Sequence, residues 1–270
     1  METPELQIES GRVCEPEWSR RVEPPRNVPL DSIRYSSRFV AVSRLHASQK
    51  TEMAQLYLAS YEATSESMFL HDLECKDEAL LLHADDLLVG FTTLRVFECD
   101  WRGERRRVVY SGDTVVDRRH WGQQALAFAW IQRVGELRRE CPQAPLYWFL
   151  LVKGHRTYRF LPAFARSFHP HWQHGRDDLK PFADALALEM FPDHYNPATG
   201  VVEFEPSRGQ LKPDIAQPTG VASTREDVGF FLARNPGFRR GHELVCLCEL
   251  EERNLKPLAL RLFRKQGHAP

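Results

Sequence analysis

The stretch from Tyr110 to Gln124 holds the residue types best suited to chemistry. Tyr110-Ser111-Gly112-Asp113-Thr114-Val115-Val116 reads as a strand, and it runs into a helix start through Asp117-Arg118-Arg119-His120-Trp121-Gly122-Gln123-Gln124. First-turn amides of a helix lack intrahelical acceptors and carry the positive end of its dipole. Arg118, Arg119 and Gly122 at that lip therefore form a phosphate seat, with the glycine letting backbone come close to a ligand. Asp113 lies among small and apolar neighbours. It reads either as a general base whose pKa burial raises, or as a structural carboxylate bonding turn amides or an arginine. Trp121, beside His120, packs under the helix start or stacks on a ligand ring.

Other candidates are weaker. His169, His171 and His174 carry no acid or thiol ligand within their run, so no metal site is expected there. Cys246 and Cys248 stand two apart after His242, which fits alternation on a strand and not a zinc knuckle. Six cysteines (14, 75, 99, 141, 246 and 248) are too sparse for a disulfide scaffold and read as reduced thiols of a cytoplasmic protein. Lys+Arg is 36 and Asp+Glu 37, a net −1 that argues against a nucleic-acid coat or a polybasic membrane-surface protein. Apolar residues at 42% and charged ones at 27% fit a soluble globular chain. The apolar runs Ala125 to Ile131 and Leu146 to Val152 fall far short of the roughly 20 residues of a membrane span. The acidic start Met1-Glu2-Thr3-Pro4-Glu5 has no apolar core, so no leader is expected.

The elements that must hold these residues follow from pattern. Arg38 to Arg44 is rich in β-formers, and Met53, Leu56, Tyr57 and Tyr61 recur at helical spacing. A second helix spans Ser67 to Glu74. Strands follow at Ala79 to Ala84, Leu87 to Glu98 (with Gly90 marking a bulge or close approach) and Arg107 to Val116. A long helix runs from Ala125 to about Glu140 with Ala127, Trp130, Ile131, Val134 and Leu137 as its stripe. Leu146 to Val152 is apolar on both faces, as in a buried central strand. A helix over His155 to Ser167 is interrupted by Pro162. Further on, Asp177 to Met190, the capping box Ser223-Thr224-Arg225-Glu226 and Leu258 to Phe263 read as helical, and Val201 to Phe204 and Glu243 to Leu250 as strands. The fold class is α/β, a mixed sheet flanked by helices. Residues 1–32 read as a loose arm, 33–175 as the core domain and 176–270 as an extension packed on it.

Arg119-His120-Trp121-Gly122-Gln123-Gln124, Ser111-Gly112-Asp113-Thr114 and Tyr147-Trp148-Phe149-Leu150 resemble a bacterial branch of the GNAT superfamily of acyl-CoA-dependent N-acyltransferases. The superfamily mark is Gln/Arg-x-x-Gly-x-Gly/Ala after the fourth strand. This chain supplies Arg119 and Gly122 and departs at Gln124, where the pattern has a small residue that leaves room for a diphosphate. The element order β-α-α-β-β-β-α-β-α matches over about residues 38–168. The resemblance implies a GNAT-like sheet whose fourth and fifth strands splay. A pantetheine arm would bond the backbone of Thr114, Val115 and Val116, and a pyrophosphate would sit on amides from Arg119 to Gln124. It implies transfer of an acyl group from acyl-CoA, or from an acyl carrier protein given the departure at Gln124, to a small-molecule amine. Asp113 would be the base and Tyr158 the acid, with His155 a substitute one helical turn earlier. A GNAT fold that binds ligand without turnover is the rival reading, and a docking enzyme for nucleic acid or protein is a further one.

Overall fold

Residues Ile33–Lys265 are described by the computed structural model, and the arm expected over residues 1–32 lies outside them. The chain begins with β1 (Tyr35–Ala41), α1 (Ala47–Ser60), β2 (Tyr61–Glu62) and α2 (Glu66–Glu74). Next comes a meander of β3 (Glu78–Ala84), β4 (Leu87–Trp101) and β5 (Glu104–Val116). Then follow α3 (Ala125–Glu140), β6 (Leu146–Val152), α4 (His155–Tyr158) and α5 (Phe160–Phe164). The remainder holds α6 (Lys180–Met190), β7 (Tyr195–Asn196), β8 (Val201–Val202), β9 (Gln210–Leu211), α7 (Pro213–Ala216), α8 (Glu226–Arg234), β10 (Glu243–Glu249) and α9 (Pro257–Arg264). The order expected over residues 38–168 is present, with the two-residue β2 added. The result is a mixed α/β sheet of eight strands in the order β1-β3-β4-β5-β6-β10-β8-β7. Residues after 176 thus enter the sheet itself, since β10 pairs antiparallel with β6.

Alternation along β6 divides the molecule. Trp148 faces α3, 4.3 Å from Trp130 between ring centres, whereas Tyr147 and Phe149 pack with Phe182 and Leu186 of α6. A strand buried on both faces needs a continuous apolar run, and Leu146 to Val152 is one. The β4–β5 turn uses left-handed Arg102 and Gly103, with Asp100 Oδ1 accepting the Gly103 amide at 2.9 Å. On α3, a Cβ added at Gly135 would lie 1.9 Å from Phe263 O, so α9 lies directly on the helix backbone.

Several local expectations change. The first strand is Tyr35–Ala41 because Val42–Arg44 turns into a 3-10 helix, pinned by Val42 N donating to Asp77 O at 2.9 Å. The helix after β6 breaks between Tyr158 and Phe160. Pro162 cannot donate to the carbonyl four residues earlier, that of Tyr158, and its ring crowds it. The strand at Val201 is only two residues long. The capping box does not form. Ser223 Oγ donates to Gly220 O within a 3-10 turn, and Asp227 Oδ1 takes the Val228 amide at 3.0 Å.

Two irregularities shape the middle of the sheet. Pairing of β3 with β4 slips beside Gly90, where a Cβ would stand 2.8 Å from Val115 O. Pairing of β4 with β5 passes from Thr92–Thr114 to Leu94–Ser111, so Gly112 and Asp113 together face the single Thr93. Such a bulge re-aims a side chain. The parallel ladder of β5 with β6 runs from Arg107–Leu146 to Ser111–Leu150 and stops. Beyond it β5 stays with β4 to Val116, and β6 stays with β10 to Val152. The sheet therefore splits after Ser111.

Candidate functional site at the split in the sheet

Two cavities meet at this split, sharing Tyr61, Thr114 and Thr157. The first follows Thr114, Val115 and Val116 to Trp121, Gly122 and Gln123, with Gly154, His155, Arg156 and Arg159 opposite. The second, about 470 Å³, lies between α1, α2 and the segment after α6, and contains Asp113, Lys153 and Glu243.

The turn between β5 and α3 is built by short-range bonds. Asp117 accepts the Arg119 amide at 3.0 Å and its guanidinium at 2.8 Å, and Trp121 Nε1 donates to Val116 O at 2.9 Å. Gly122 has φ +94° and nothing within 4 Å of a would-be Cβ, so the backbone there is open. Gln123 Oε1 accepts the Leu126 amide at 3.2 Å, and Phe128 N is the first to bond back, to Gln124 O at 2.9 Å. The amides of Ala125 and Ala127 have no acceptor among the described residues, which leaves donors for an anion.

Positive charge arrives from a different element than the sequence suggested. Arg118 pairs with Asp214 and Arg119 with Asp117, and both are exposed. His120 bonds the Tyr35 hydroxyl at 2.9 Å. Gln124 is exposed and lines neither cavity, so it does not crowd the space beside Gly122. Arg156 and Arg159 of the α4 region line the first cavity instead. The Arg156 guanidinium lies 3.8 Å from the Trp121 ring centre, and its Nε has no hydrogen-bond partner. Burial, then the Arg159 and Arg118 charges, hold its pKa below the usual arginine range. An adjoining groove continues this face past Arg159, Arg166 and Lys256. Neither Arg156 nor Arg159 has a carboxylate within ion-pair distance among the described residues.

The second cavity is charge-paired. Lys153 Nζ lies 3.4 Å from Glu243 and 5.3 Å from the Tyr61 ring centre. Burial opposes the lysine charge, but Glu243, Tyr57 and Asp113 raise its pKa well above the ordinary value. Asp113 sits on the bulge, and burial pushes its pKa up to about 6, with Asp72 and Glu243 adding to the rise and Lys153 and Lys76 opposing it. A carboxyl so placed is mostly ionised at pH 7 and holds a proton far better than an exposed aspartate.

The other expected acid–base residues fall elsewhere. Tyr158 is fully buried in a cluster with Phe168, Phe230 and Phe231, donates its hydroxyl to Pro170 O at 2.8 Å and lines neither cavity. Thr157, one position earlier, faces both. His155 does line the first cavity, but burial and then Arg156 and Arg159 push its pKa down to about 4, so the ring is neutral. His171 stacks on Trp172 and accepts the amides of Gln173 and His174. No group of three or more metal-ligating side chains is found among the described residues, and no helix among them is long and apolar enough to cross a membrane. Lys153, Glu243, Arg156, Arg159 and the cavity role of Tyr61 were missed in the sequence. The available signals were a lysine directly ending an apolar strand and a glutamate opening another.

No protein-family model matches the chain, and no curated protein does. Among solved structures the chain is similar to a probable N-acyltransferase from Enterococcus faecalis, at 15% identity over 50% of this chain and 33% of that one, TM-score 0.38. It is similar to a GNAT family N-acetyltransferase from Escherichia coli solved with CoA, at 17% identity over 54% and 79%, TM-score 0.36. A ribosomal-protein-alanine N-acetyltransferase from Brucella melitensis matches at 19% identity over 43% and 79%, TM-score 0.33. The matched region spans only a third of the Enterococcus protein's length.

Proposed function

We propose that the protein transfers an acyl group from a pantetheine thioester, acyl-CoA, to the amine of a small molecule. The reading rests on one observation: a cationic cavity with free helix amides and a cavity bearing a high-pKa carboxylate meet where β5 leaves β6. The residues present fit such a donor. Thr114 to Val116 offer backbone along the first cavity, Gly122 and Gln123 an open turn, and Arg156 and Arg159 uncompensated charge for phosphates. The further cations Arg166 and Lys256 favour the multiply charged CoA over an acyl carrier protein, which presents one phosphate.

When bound, the thioester supplies an electrophilic carbonyl. Asp113 takes a proton from the acceptor ammonium, the freed nitrogen lone pair forms the new N–C bond as the C–S bond breaks, and the remaining surplus nitrogen proton ends on the leaving thiolate by way of the Tyr61 hydroxyl. Tyr61 takes the place expected of Tyr158 as proton donor to the leaving thiolate. It lines both cavities, stacks on Tyr57 at 4.5 Å, and burial keeps its hydroxyl protonated. Residues 33–175 carry most of the donor face, and residues 176–270 add Leu211, Ile215 and Lys256 to it and complete the acceptor cavity through Phe191, Phe204, Arg208 and Glu243. Free thiols and a CoA donor suit a cytoplasmic enzyme.

Thermal shift with CoA, acetyl-CoA and a long-chain acyl-CoA tests the donor site, since a ligand of the native state raises apparent stability by mass action. A rise that Gly122→Trp abolishes is expected, followed by thiol release when an amine is added. No rise with any CoA would sink the acyl-CoA reading.

A further inference from the structure

Pairing off the charges of the second cavity leaves a remainder. Glu243 takes Lys153 at 3.4 Å, and Asp72 takes Lys76 at 2.7 Å. Asp113 and Arg208 are left, and neither has an oppositely charged side chain within ion-pair distance among the described residues. The Arg208 guanidinium stacks over Phe204, 4.8 Å from the ring centre, and one of its nitrogens lies 3.4 Å from His194 Nε2. An aromatic ring and an imidazole thus orient this exposed guanidinium, with no carboxylate beside it.

We propose that the acceptor is a free α-amino acid, with its ammonium on Asp113 and its carboxylate on Arg208. This deepens the acyl-transfer reading and rests on it. A lone carboxylate and a lone guanidinium in one cavity are the complement of a zwitterion, and guanidinium binds carboxylate through two parallel hydrogen bonds. A polyamine would leave Arg208 opposed by like charge and would want further free acids. A peptide N-terminus has the amine but no carboxylate beside it. A cavity of about 470 Å³ admits a small molecule, and Tyr57, Phe69, Tyr110 and Phe191 along its wall suit an apolar side chain.

The test is isothermal titration of the full chain, with and without saturating CoA. The ligands are L-phenylalanine, L-methionine, 2-phenylethylamine, which lacks the carboxylate, and 3-phenylpropanoate, which lacks the amine. At least one amino acid is expected to bind about tenfold more tightly than either fragment, a discrimination on the scale of one charge-assisted pair. Arg208→Gln should bring the amino acid down to the affinity of 2-phenylethylamine while leaving that amine and CoA unaffected, and Arg208→Lys should recover part of the loss. Binding of 2-phenylethylamine as tight as that of the tighter-binding amino acid, or no amino-acid binding while CoA still raises Tm, overturns the acceptor class and leaves the donor reading standing. Amino-acid binding without any CoA response keeps the pocket assignment and removes the acyl-transfer reading.

Discussion

The two cavities at the split are built on opposite electrostatic plans. On the α3 side, Arg156 and Arg159 line the cavity without carboxylates in ion-pair reach, and the first turn of α3, with unbonded amides, borders the same space at Leu126 and Ala127. On the α1–α2 side every charge but two is matched, and burial raises the pKa of the unmatched acid to about 6. Like charges left unpaired are costly until an anion arrives, so the first plan suits a polyanionic ligand. A buried acid with a pKa near 6 suits proton transfer. A dividing line runs through Tyr61, Thr114 and Thr157, which line both cavities.

The largest test of that division is Asp113→Asn. Loss of a general base should lower kcat by about 10²–10⁴-fold, with CoA binding by thermal shift unchanged. Equal losses in both would erase the distinction. In the unaltered enzyme, kcat/KM should fall as pH drops below about 6, because the base must be ionised to accept a proton. Next, Arg156→Gln should weaken CoA by about tenfold at low salt, less at high salt, with the amine KM unmoved. Smaller still, Lys153→Met removes a cation that lowers the Asp113 pKa, so the acid limb of the pH profile should move upward by about one unit. Glu243→Gln added to that variant separates the shift from loss of the buried pair. Last, Gly135→Ala pushes α3 off α9 and should cost about 1–3 kcal/mol, read as a lower Tm, with loss of CoA binding exceeding loss of amine binding.

The strands and helices were readable because their signals are local: alternation in β3 to β5, the apolar run of β6, the stripe of α3. Asp113 and Gly122 could be picked out as candidates for the same reason, lying in one strand-to-helix stretch, and each lines one of the two cavities. Arg156 and Arg159 were not, because only the split brings α4 across from Gly122. Lys153 and Glu243 meet only through antiparallel pairing between β6 and β10, far apart in the chain. The Tyr158 expectation failed by one position. Successive residues on a helix point roughly 100° apart, so Thr157 reaches the cavities and Tyr158 the core. The motif arginines misled because Asp117 and Asp214, unseen as partners, satisfy them at the surface.

The partnering of β6 also sets a timetable. Its parallel neighbour β5 precedes it closely, but its other edge, from Tyr147 to Val152, is closed only by Leu244 to Glu249. A growing chain therefore carries an apolar strand with one bare edge until β10 has been made. Such long-range pairing is slow, and the waiting edge is open to misassociation. Slow translation or chaperone shortage should be felt in the yield of soluble protein before it is felt in activity per molecule. C-terminal truncations that delete β10 should aggregate, not simply lose function.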